Sequence, residues 1–352
     1  MLILAINCGS TSTKIALFED EQQIAVESQN LNSAQIAAMN SFDAAVQVRG
    51  PSVETFLQKH GVRISDLDCV VARGGVPGPV ESGAYIINDA LLAALKQNGE
   101  DGGAVHHGNV SGVLAYRIAS KAGIPAYIYD AVSVDELWPL ARYSGIKDIP
   151  RYSRTHTLNT RAMAMEAAAE RGRDYRELNI ITAHLGGGNS VNIFCKGKLI
   201  DLVTSEEGGF SAERCGGLAG DTVLALVREK GIDTVSGYFH GNGGLVSYFG
   251  SNSALDAGRR ADAGDKEAGN ILDALAYQTS KCIASMAAVV KGDVDLIVLT
   301  GGILNSQRIA DFIRSHVQFI APVVVKPGER EMIALAKGAL RVMRGEEMAK
   351  QL

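Results

Sequence analysis

Two stretches of the chain share one pattern and decide the fold: ILAINCGSTSTKIALF, residues 3–18, and IITAHLGGGNSVNIF, residues 180–194. Each begins as an apolar strand, reaches a polar residue (Asn7 or His184), turns through small residues, and continues as an alternating strand. Each stretch therefore predicts a β-hairpin with a turn of Gly and Ser.

A second pair of segments follows these hairpins in the same order. VVARGG begins at Val70 and VLTGG begins at Val298, and each is an apolar strand that ends on paired glycines. Hairpins and Gly-Gly turns are common, so one repeated pattern alone would not distinguish duplication from coincidence. Two repeated patterns in the same order favour a chain made of two diverged copies of one domain.

Length and alternation agree with two domains of α/β class. The chain has 352 residues, and a single hydrophobic core rarely grows past about 250–300 residues. Strand-like runs alternate with helical stretches, which is typical of an α/β fold. The predicted helices cover residues 89–97 after an Asn88 cap, 110–121, 160–171 and 266–290.

Composition limits which kinds of partner and which cellular compartment are expected. The formal net charge of −5 argues against nucleic acid as the main partner, because neutralising phosphates requires a basic face. We expect neither a secretory leader nor a membrane span, since the first apolar run is short and no stretch of about 18 apolar residues occurs. The five cysteines are scattered without a CxxC pair, which favours reduced thiols in the cytoplasm over a zinc site or a disulfide framework.

The turn of the first hairpin suits phosphate. Small residues leave backbone N–H groups open to a ligand, Ser10 and Ser12 add hydroxyl donors, and Lys14 adds a positive charge. The alternative is a solvated hairpin that uses Gly, Ser and Asn for its turn geometry. The chain lacks GxxxxGK[ST] and has no GxGxxG after its first strand, so we expect neither a P-loop NTPase nor a Rossmann fold.

The second hairpin would form a matching phosphate clamp on the second domain. Gly301 and Gly302 end another strand and allow a further close approach, suited to a nucleoside. Two lobes that each offer a glycine hairpin to one polyphosphate are typical of the actin-like ATPase fold, with ATP in a central cleft.

Phosphoryl transfer depends on positioning and on positive charge around a planar transition state, so we sought cations near turns and a carboxylate for a metal. Arg73 stands before paired glycines and Arg214 lies in SAERCGG, although either could be a surface arginine at a turn. Asp130 ends the apolar run AYIY, a position that suits a metal ligand, a general base or a helix N-cap.

Histidines and late glutamates add further candidates. His156 lies in RTHTLN, and His106 is followed directly by His107. A lone histidine is more often structural than catalytic, and no HExxH or spaced His/Cys set for zinc occurs. Glu329 and Glu331 precede the last helical stretch, where they could hold a metal or complement the helix dipole.

Together these motifs resemble the acetate/butyrate kinase (acetokinase) family, in order and over nearly the whole chain. The segments that carry the resemblance are NCGSTSTK, ARGG, ESG, YDAVSVDEL, RTHTLN, HLGGGNS, SAERCGGLAGD, LTGGI and PGEREMIALAKGALRV. The resemblance implies the duplicated ribonuclease H-like fold of acetate and sugar kinases, Hsp70 and actin. It also implies a phosphotransferase with a carboxyl group as acceptor, which reversibly converts ATP and a carboxylate into ADP and an acyl phosphate with Mg²⁺.

The resemblance implies ligands for the metal and the nucleotide. Asn7 and Glu331 would hold the magnesium–phosphate unit. Asp130 would orient the metal near the attacking carboxylate, which is already ionised at neutral pH and needs no base. The residues that would hold ATP and its phosphates are Asn7, Ser10, Ser12, Lys14, His184, Gly186, Gly187, Gly188, Gly301, Gly302 and Asn305.

The resemblance also implies the groups that act on substrate. Arg73 would bind the substrate carboxylate or the acyl phosphate. His106 would also face the substrate, with His107 as an adjacent competitor for the same position. Arg214 and His156 would stabilise the equatorial oxygens of the phosphoryl group in transfer.

Three departures from acetate kinases follow the butyrate-type branch of the family. Gly187 stands where acetate kinases carry Asn, and Arg73 directly abuts its paired glycines. Asn159 or Thr160 stands where they carry a second His. These departures favour butanoate as substrate, with acetate, propionate and branched-chain acids as alternatives.

Two other classes share this fold: an actin-like nucleotide switch, and a sugar kinase or sugar-sensing repressor. A switch needs no two-arginine acceptor site such as Arg73 with Arg214. A repressor would carry a basic helix-turn-helix before the first strand, and this chain starts at that strand. A carboxylate kinase is therefore the preferred interpretation.

The predicted domains are discontinuous. Residues 1–150 and 332–352 would form the substrate and phosphate lobe, with residues 332–352 returning as one helix. Residues 151–331 would form the lobe for nucleotide binding and dimerisation, because the resemblance implies a homodimer or a higher homo-oligomer.

Overall fold

The computed structural model describes residues 1–101 and 104–352 and divides the chain into two compact α/β units. Unit 1 comprises residues 1–135 and 330–352, and unit 2 comprises residues 136–329. The strands, in chain order, are β1 (Leu2–Cys8), β2 (Ser12–Glu19), β3 (Gln22–Asn30), β4 (Cys69–Arg73), β5 (Ala84–Ile86), β6 (Glu100–Asp101), β7 (Ala104–Val105), β8 (Ala126–Tyr129), β9 (Asn179–Leu185), β10 (Asn189–Cys195), β11 (Lys198–Val203), β12 (Leu296–Gly301) and β13 (Val323–Pro327).

Helices alternate with these strands, as the pattern predicts. They are α1 (Ser33–Ala38), α2 (Phe42–Lys59), α3 (Asp89–Gln97), α4 (His107–Ala122), α5 (Thr157–Ala169), α6 (Gly220–Lys230), α7 (Ile232–His240), α8 (Gly244–Phe249), α9 (Ala254–Asp262), α10 (Lys266–Val289), α11 (Gln307–Val317) and α12 (Glu331–Met343). Within residues 1–101 and 104–352, none of these helices has the length and apolar content that crossing a membrane requires.

The two large sheets share one strand order. Unit 1 has the order β3-β2-β1-β4-β8-β5, and unit 2 has the order β11-β10-β9-β12-β13. In each, an antiparallel hairpin (β1–β2 or β9–β10) carries a third antiparallel strand on one side and a parallel strand on the other. The parallel strand is β4 or β12, the two segments that end beside paired glycines. The predicted duplication and the α/β fold class are confirmed.

Burial explains why the central strands read as continuous apolar runs. Helices α4 and α12 both pack against β1 and β4 in unit 1, while α5 packs against β9 and β12 in unit 2. The side chains of Ile3, Leu4, Ala5 and Ile6 are fully buried. A strand covered in this way lacks the polar alternation of a strand with one face in water. Polar residues occur instead where these strands end.

The prediction for α3 is confirmed: it covers Asp89–Gln97 after the Asn88 cap, whose side chain accepts from Leu91 N at 2.9 Å. Other helix bounds differ from the prediction, since α4 begins at His107 and α5 at Thr157, three residues before the predicted starts. α2 was not predicted, because Pro51 lies inside it and proline usually ends a helix. The predicted helix over residues 332–352 is wrong in its second half: α12 ends at Met343, and the tail instead pairs with β5 through Lys350 N, which donates to Ala84 O at 2.8 Å.

The first boundary between units lies at residue 135, before the predicted position at residue 150. The chain attaches to β11 directly after this point. Leu199 N donates to Glu136 Oε2, and Trp138 N donates to Ile200 O at 2.9 Å. These bonds tie the intervening segment to unit 2.

Candidate active site

Polar residues collect where the parallel strands of unit 1 end. β4 runs parallel to β1 and β8 runs parallel to β4, so their carboxyl ends meet at one edge of the sheet. The register places Asn7, Arg73 and Asp130 at successive positions along this edge. In open α/β sheets such an edge is the usual place for ligands.

Glu331, the first residue of α12, joins this edge. Asn7 Nδ2 donates to Glu331 Oε2 at 2.5 Å, and Arg73 Nη1 lies 3.7 Å from Glu331 Oε1. The side chains of Arg73 and Glu331 are 23% and 12% exposed, so both charges are partly shielded from water. The structure therefore brings together one amide, one cation and one carboxylate that the sequence had singled out separately.

The oxygen atoms at this edge fit a hard divalent cation. Asn7 is 8% exposed, and its Oδ1 has no hydrogen-bond partner within the described chain. Mg²⁺ takes oxygen ligands and is usually held by one or two protein groups together with waters and substrate phosphates. No group of three His, Cys, Asp or Glu residues that could hold a metal occurs in residues 1–101 and 104–352. Asn7 Oδ1 and the Glu331 carboxylate therefore suit a metal whose other ligands come with the phosphates.

Asp130 lies at the same edge, but its carboxylate is engaged with backbone. Oδ1 accepts from Gly83 N at 2.7 Å, and Asp130 N donates to Gly83 O at 3.1 Å. Its φ of +44° is uncommon for a side-chain-bearing residue, and this reciprocal pair fixes the conformation. Residues 131–138 form no helix, so the N-cap alternative is wrong.

The β1–β2 hairpin carries the side chains that the sequence predicts to bind phosphate. Gly9 N donates to Ser12 O at 2.9 Å, which closes the turn, and Lys14 stands opposite Asn7 in the antiparallel register. Ser10 is exposed, whereas Ser12 and Lys14 are half-buried. The side chains of these three residues donate to no acceptor in the described chain. They are thus available to a ligand at the end of β1.

Arg49 holds this turn from behind and was not predicted as a site residue. It lies on α2, where its fully buried side chain bonds to the carbonyl oxygens of Gly9 and Ser12. The sequence does carry a signal. Arg49 occupies the position of an apolar residue in the buried stripe of α2, between Val46 and Val53.

The adjacent histidines have different neighbours. His106 precedes α4, and its ring lies beside Gly75 in the loop after Arg73. His107 Nδ1 lies 3.4 Å from Arg49 Nη2, and since arginine only donates, Nδ1 accepts this contact. Burial, reinforced by the charge of Arg49, lowers the pKa of His107 to about 4. His106 therefore lies in the neighbourhood of Arg73, which is predicted to bind the substrate. His107 is a neutral ring in contact with Arg49, which holds the turn of the β1–β2 hairpin.

In unit 2, His156 and His184 form one stacked pair. Their ring centroids are 4.2 Å apart, with 21° between the ring planes. His156 Nδ1 lies 3.0 Å from Ser190 Oγ, and Asn159 Nδ2 lies 2.9 Å from His184 Nδ1. An amide nitrogen only donates, so His184 accepts at Nδ1 and its neutral ring carries the proton on Nε2. Each predicted histidine is thereby held in a fixed orientation.

Arg214 packs against the glycine hairpin of unit 2. A Cβ atom on Gly188 would lie 2.9 Å from Arg214 Cζ, so the glycine lets the guanidinium lie directly against the hairpin. Arg214 Nη1 donates to Glu206 Oε1 at 3.1 Å, but the two side chains are 34% and 45% exposed. An ion pair with this exposure contributes little stability, so the guanidinium can exchange Glu206 for a substrate oxygen.

A cavity of about 260 Å³ opens beside the same hairpin. It joins Gly186 and Gly187 to Gly302, three of the predicted nucleotide contacts. Gly301 ends β12 with a φ of +106°, and a Cβ there would lie 2.2 Å from Leu185 O. The lining residues are Gly186, Gly187, Ala212, Asn252, Ser253, Ala254, Leu255, Gly302, Ile303 and Glu329.

The cavity also shows what the sequence did not reveal. Asn305 does not line it, but its Nδ2 donates to Gly302 O at 2.9 Å and so shapes the turn after β12. Asn252 Nδ2 donates to Glu213 Oε1 at 2.7 Å beside Gly187. Neither Asn252 nor Glu213 follows an apolar strand, so the strand-end signal that found the glycines could not find them.

Two units with the same strand order, each with a small-residue hairpin at a sheet edge, define the actin-like class of nucleotide-binding folds. An acetate kinase of Porphyromonas gingivalis shares the fold, with a TM-score of 0.79 and 18% identity over 97% of this chain and 99% of that one. A propionate kinase of Francisella tularensis subsp. tularensis has a TM-score of 0.75 and 18% identity, over 96% of this chain and 98% of that one.

Sequence comparison identifies the family within this class. A profile of the Acetokinase family matches residues 140–332. The chain is 43% identical to Butyrate kinase 2 of Clostridium acetobutylicum, over 99% of this chain and 98% of that protein. The chain belongs to the acetokinase family, and membership of a kinase family implies the use of ATP and ADP.

Proposed function

We propose that the protein is a magnesium-dependent carboxylate kinase that reversibly converts butanoate and ATP into butanoyl phosphate and ADP. The observation that carries this proposal is the cluster of Asn7, Arg73 and Glu331 at one sheet edge. Phosphorylation of a carboxylate requires a cationic side chain that binds the acid, and oxygen ligands for the metal ion that binds the phosphates. This edge supplies both, in a chain 43% identical to a butyrate kinase.

The acceptor is held in unit 1. Arg73 offers a planar fork of N–H donors that matches a carboxylate. Its contact with Glu331 is 3.7 Å long, so the guanidinium is oriented without being saturated. Butanoate is ionised at neutral pH and attacks phosphorus through a carboxylate oxygen without losing a proton. Asp130 is therefore assigned to metal orientation rather than to general base catalysis.

Each unit offers groups that suit one part of a nucleotide. Ser10, Ser12 and Lys14 offer two hydroxyls and a cation to the phosphates. The cavity next to Gly187 and Gly302 suits the nucleoside, and its volume of about 260 Å³ is slightly below the usual range of about 300–1,000 Å³ for ligand pockets. When Mg²⁺ is bound, Asn7 and Glu331 would hold it, and its charge would neutralise the phosphate oxygens.

Arg214 and His156 serve the phosphoryl group during transfer. The carboxylate oxygen forms a bond to the γ-phosphorus while the bond from that phosphorus to the ADP oxygen breaks. Charge is then spread over three equatorial oxygens, and positioned donors there lower the barrier. His156 is oriented by Ser190 and by stacking on His184. Arg214 lies over the hairpin glycine and can leave its exposed partner Glu206.

The reverse reaction tests this function. Butanoyl phosphate and ADP with Mg²⁺ should yield ATP, which luciferase light detects. A nucleotide switch of the same fold would bind ADP without forming ATP from any acyl phosphate, and that result would overturn the proposal. Because one methylene in an apolar pocket is worth only about 1–3 kcal/mol, we expect the two- and three-carbon analogues to react more slowly rather than not at all.

We also propose that the protein forms a homo-oligomer through unit 2. Residues 138–152 expose several large apolar side chains, which monomers rarely cluster in one segment; those more than half exposed are Leu140, Tyr143, Ile146, Ile149 and Tyr152. Arg151 fixes this segment by donating to Ala141 O and Leu202 O, each at 2.8 Å. Light scattering should give a mass that is a multiple of 37.2 kDa, and Leu140→Asp with Tyr143→Asp should reduce it.

We place the reaction in the cytoplasm. All five cysteines are free thiols, and Cys8 and Cys69 are buried. Persistent free thiols are typical of a reducing compartment, where ATP is also available. Fractionation of cells that express the protein would test this placement.

A further inference from the structure

Arg49 is a fully buried arginine that contacts the turn of the β1–β2 hairpin four times. Its Nη1 donates to Ser12 O and to Thr13 Oγ1, each at 2.7 Å. Its Nη2 donates to Gly9 O at 2.6 Å and to Ser10 O at 3.2 Å. One planar guanidinium thus donates to three carbonyl oxygens, two in the turn and one at the first residue of β2. An apolar side chain at this position would leave all three without this donor.

These contacts fix the direction of the turn's N–H groups. In a trans peptide, a carbonyl and the N–H of the following residue point in opposite directions. The carbonyls of Gly9 and Ser10 face Arg49, so the N–H groups of Ser10 and Thr11 face away from it. Within the described chain neither N–H meets an acceptor. Successive N–H groups that converge in a turn form a concave site for an anion.

The charge of Arg49 has no counter-ion among residues 1–101 and 104–352. No carboxylate of the described residues lies within ion-pair distance, and its Nε has no hydrogen-bond partner there. Burial lowers the pKa of Arg49, but arginine starts so high that it stays charged at neutral pH. Its neighbour His107 is neutral under the same conditions. A buried charge without a counter-ion is costly, and a bound anion close to the turn would offset that cost.

We infer that Arg49 is a positioning residue for the phosphates of the nucleotide. It draws the turn carbonyls inward, turns the N–H groups of Ser10 and Thr11 toward the phosphates, and places a positive charge behind them. The identity of the anion rests on the proposed function, whereas the anion-binding turn itself does not.

The test compares Arg49→Lys and Arg49→Ala with Arg63→Met, a control whose side chain is 81% exposed in the same unit. Circular dichroism and thermal unfolding establish that each variant folds. Lysine keeps the charge but cannot bridge several carbonyls. We expect Arg49→Lys to weaken MgATP binding by about 10–100-fold in calorimetry, to raise KM for ATP similarly, and to leave KM for butanoate within about twofold. Guanidinium ion added to Arg49→Ala should restore part of the ATP affinity.

A merely structural arginine would give a different result. In that case folded Arg49→Lys would bind MgATP as the wild type does, or would lose kcat with KM for ATP unchanged, and either result overturns the inference. The wild-type protein gives an independent readout: the amide resonances of Ser10 and Thr11 should shift downfield when MgATP binds, and unmoved resonances would also overturn it.

The same data separate this inference from the kinase proposal. If the wild type binds ATP but forms no acyl phosphate from any acid, the proposed function fails. A weakened ATP affinity in Arg49→Lys would still support the positioning role in that case.

Discussion

Arg214 and His156 carry the clearest prediction for single residues. Arg214 pairs with Glu206 where both side chains are partly exposed, and His156 is oriented by Ser190 and by stacking on His184. Truncation of either side chain should therefore leave the fold intact. Arg214→Ala or His156→Ala should lower kcat about 10²–10³-fold, the usual loss when one transition-state donor is removed. Arg259→Ala, at a side chain 79% exposed on α9, is the matched control. Turnover near the wild-type value in either variant would remove that residue from the mechanism.

His107 predicts how stability depends on pH. Its pKa is about 4 in the folded protein against 6.5 in the unfolded chain. Above pH 6.5 the ring is neutral in both states and contributes nothing. Between pH 6.5 and about 4 the unfolded chain binds a proton that the folded protein excludes, so the free energy of unfolding falls. Urea unfolding across this range should show a smaller decline in His107→Gln, and an equal decline would contradict the assignment.

Strand ends made part of the site readable from sequence. Asn7, Asp130 and His184 each interrupt an apolar run. A polar side chain buried in a strand costs free energy unless it is hydrogen-bonded or binds a ligand, so such residues stand out in the sequence. The roles assigned to them stay predictions, but their placement at sheet edges follows from the pattern. Asn252 gave no comparable signal, and Arg49 was marked only by its position in the apolar stripe of α2. The partners of both residues lie far away in sequence, and only the fold brings them together.

At the scale of elements, hairpins were easier to predict than helix ends. The turn residues of β1–β2 and β9–β10 are local, so sequence reveals them. The end of α12 depends on Gly345 and on the pairing of Lys350 with β5, which is a long-range contact. α2 was missed because a proline that usually ends a helix lies within it and is tolerated.

Helix α12 gives a prediction at this scale. A Cβ on Gly338 would lie 2.5 Å from the Tyr129 ring, which is 1% exposed and cannot move aside easily. Gly338→Ala should therefore lower the free energy of unfolding by about 1–3 kcal/mol. Gly258 on α9 meets nothing within 4 Å, so Gly258→Ala should raise it by about 0.4–1 kcal/mol. Denaturant midpoints check both, and changes of equal sign would contradict the packing of α12 on β8.

At the scale of the whole molecule, one domain plan is used twice with different chemistry. Both sheets place a hairpin beside a parallel strand that ends near paired glycines. The copy in unit 1 carries hydroxyls, a lysine and a buried arginine around its turn. The copy in unit 2 carries three glycines, a histidine pair and a cavity. Divergence of this kind explains why the duplication is visible in the strand order but faint in the sequence.

The most direct test of a carboxylate kinase traps its product. Protein, ATP and Mg²⁺ are mixed with straight-chain acids of two to six carbons and hydroxylamine, and the acyl hydroxamate is measured. We predict ATP-dependent hydroxamate with a maximum at butanoate. ATP binding without hydroxamate from any of these acids would contradict the account and favour a nucleotide switch.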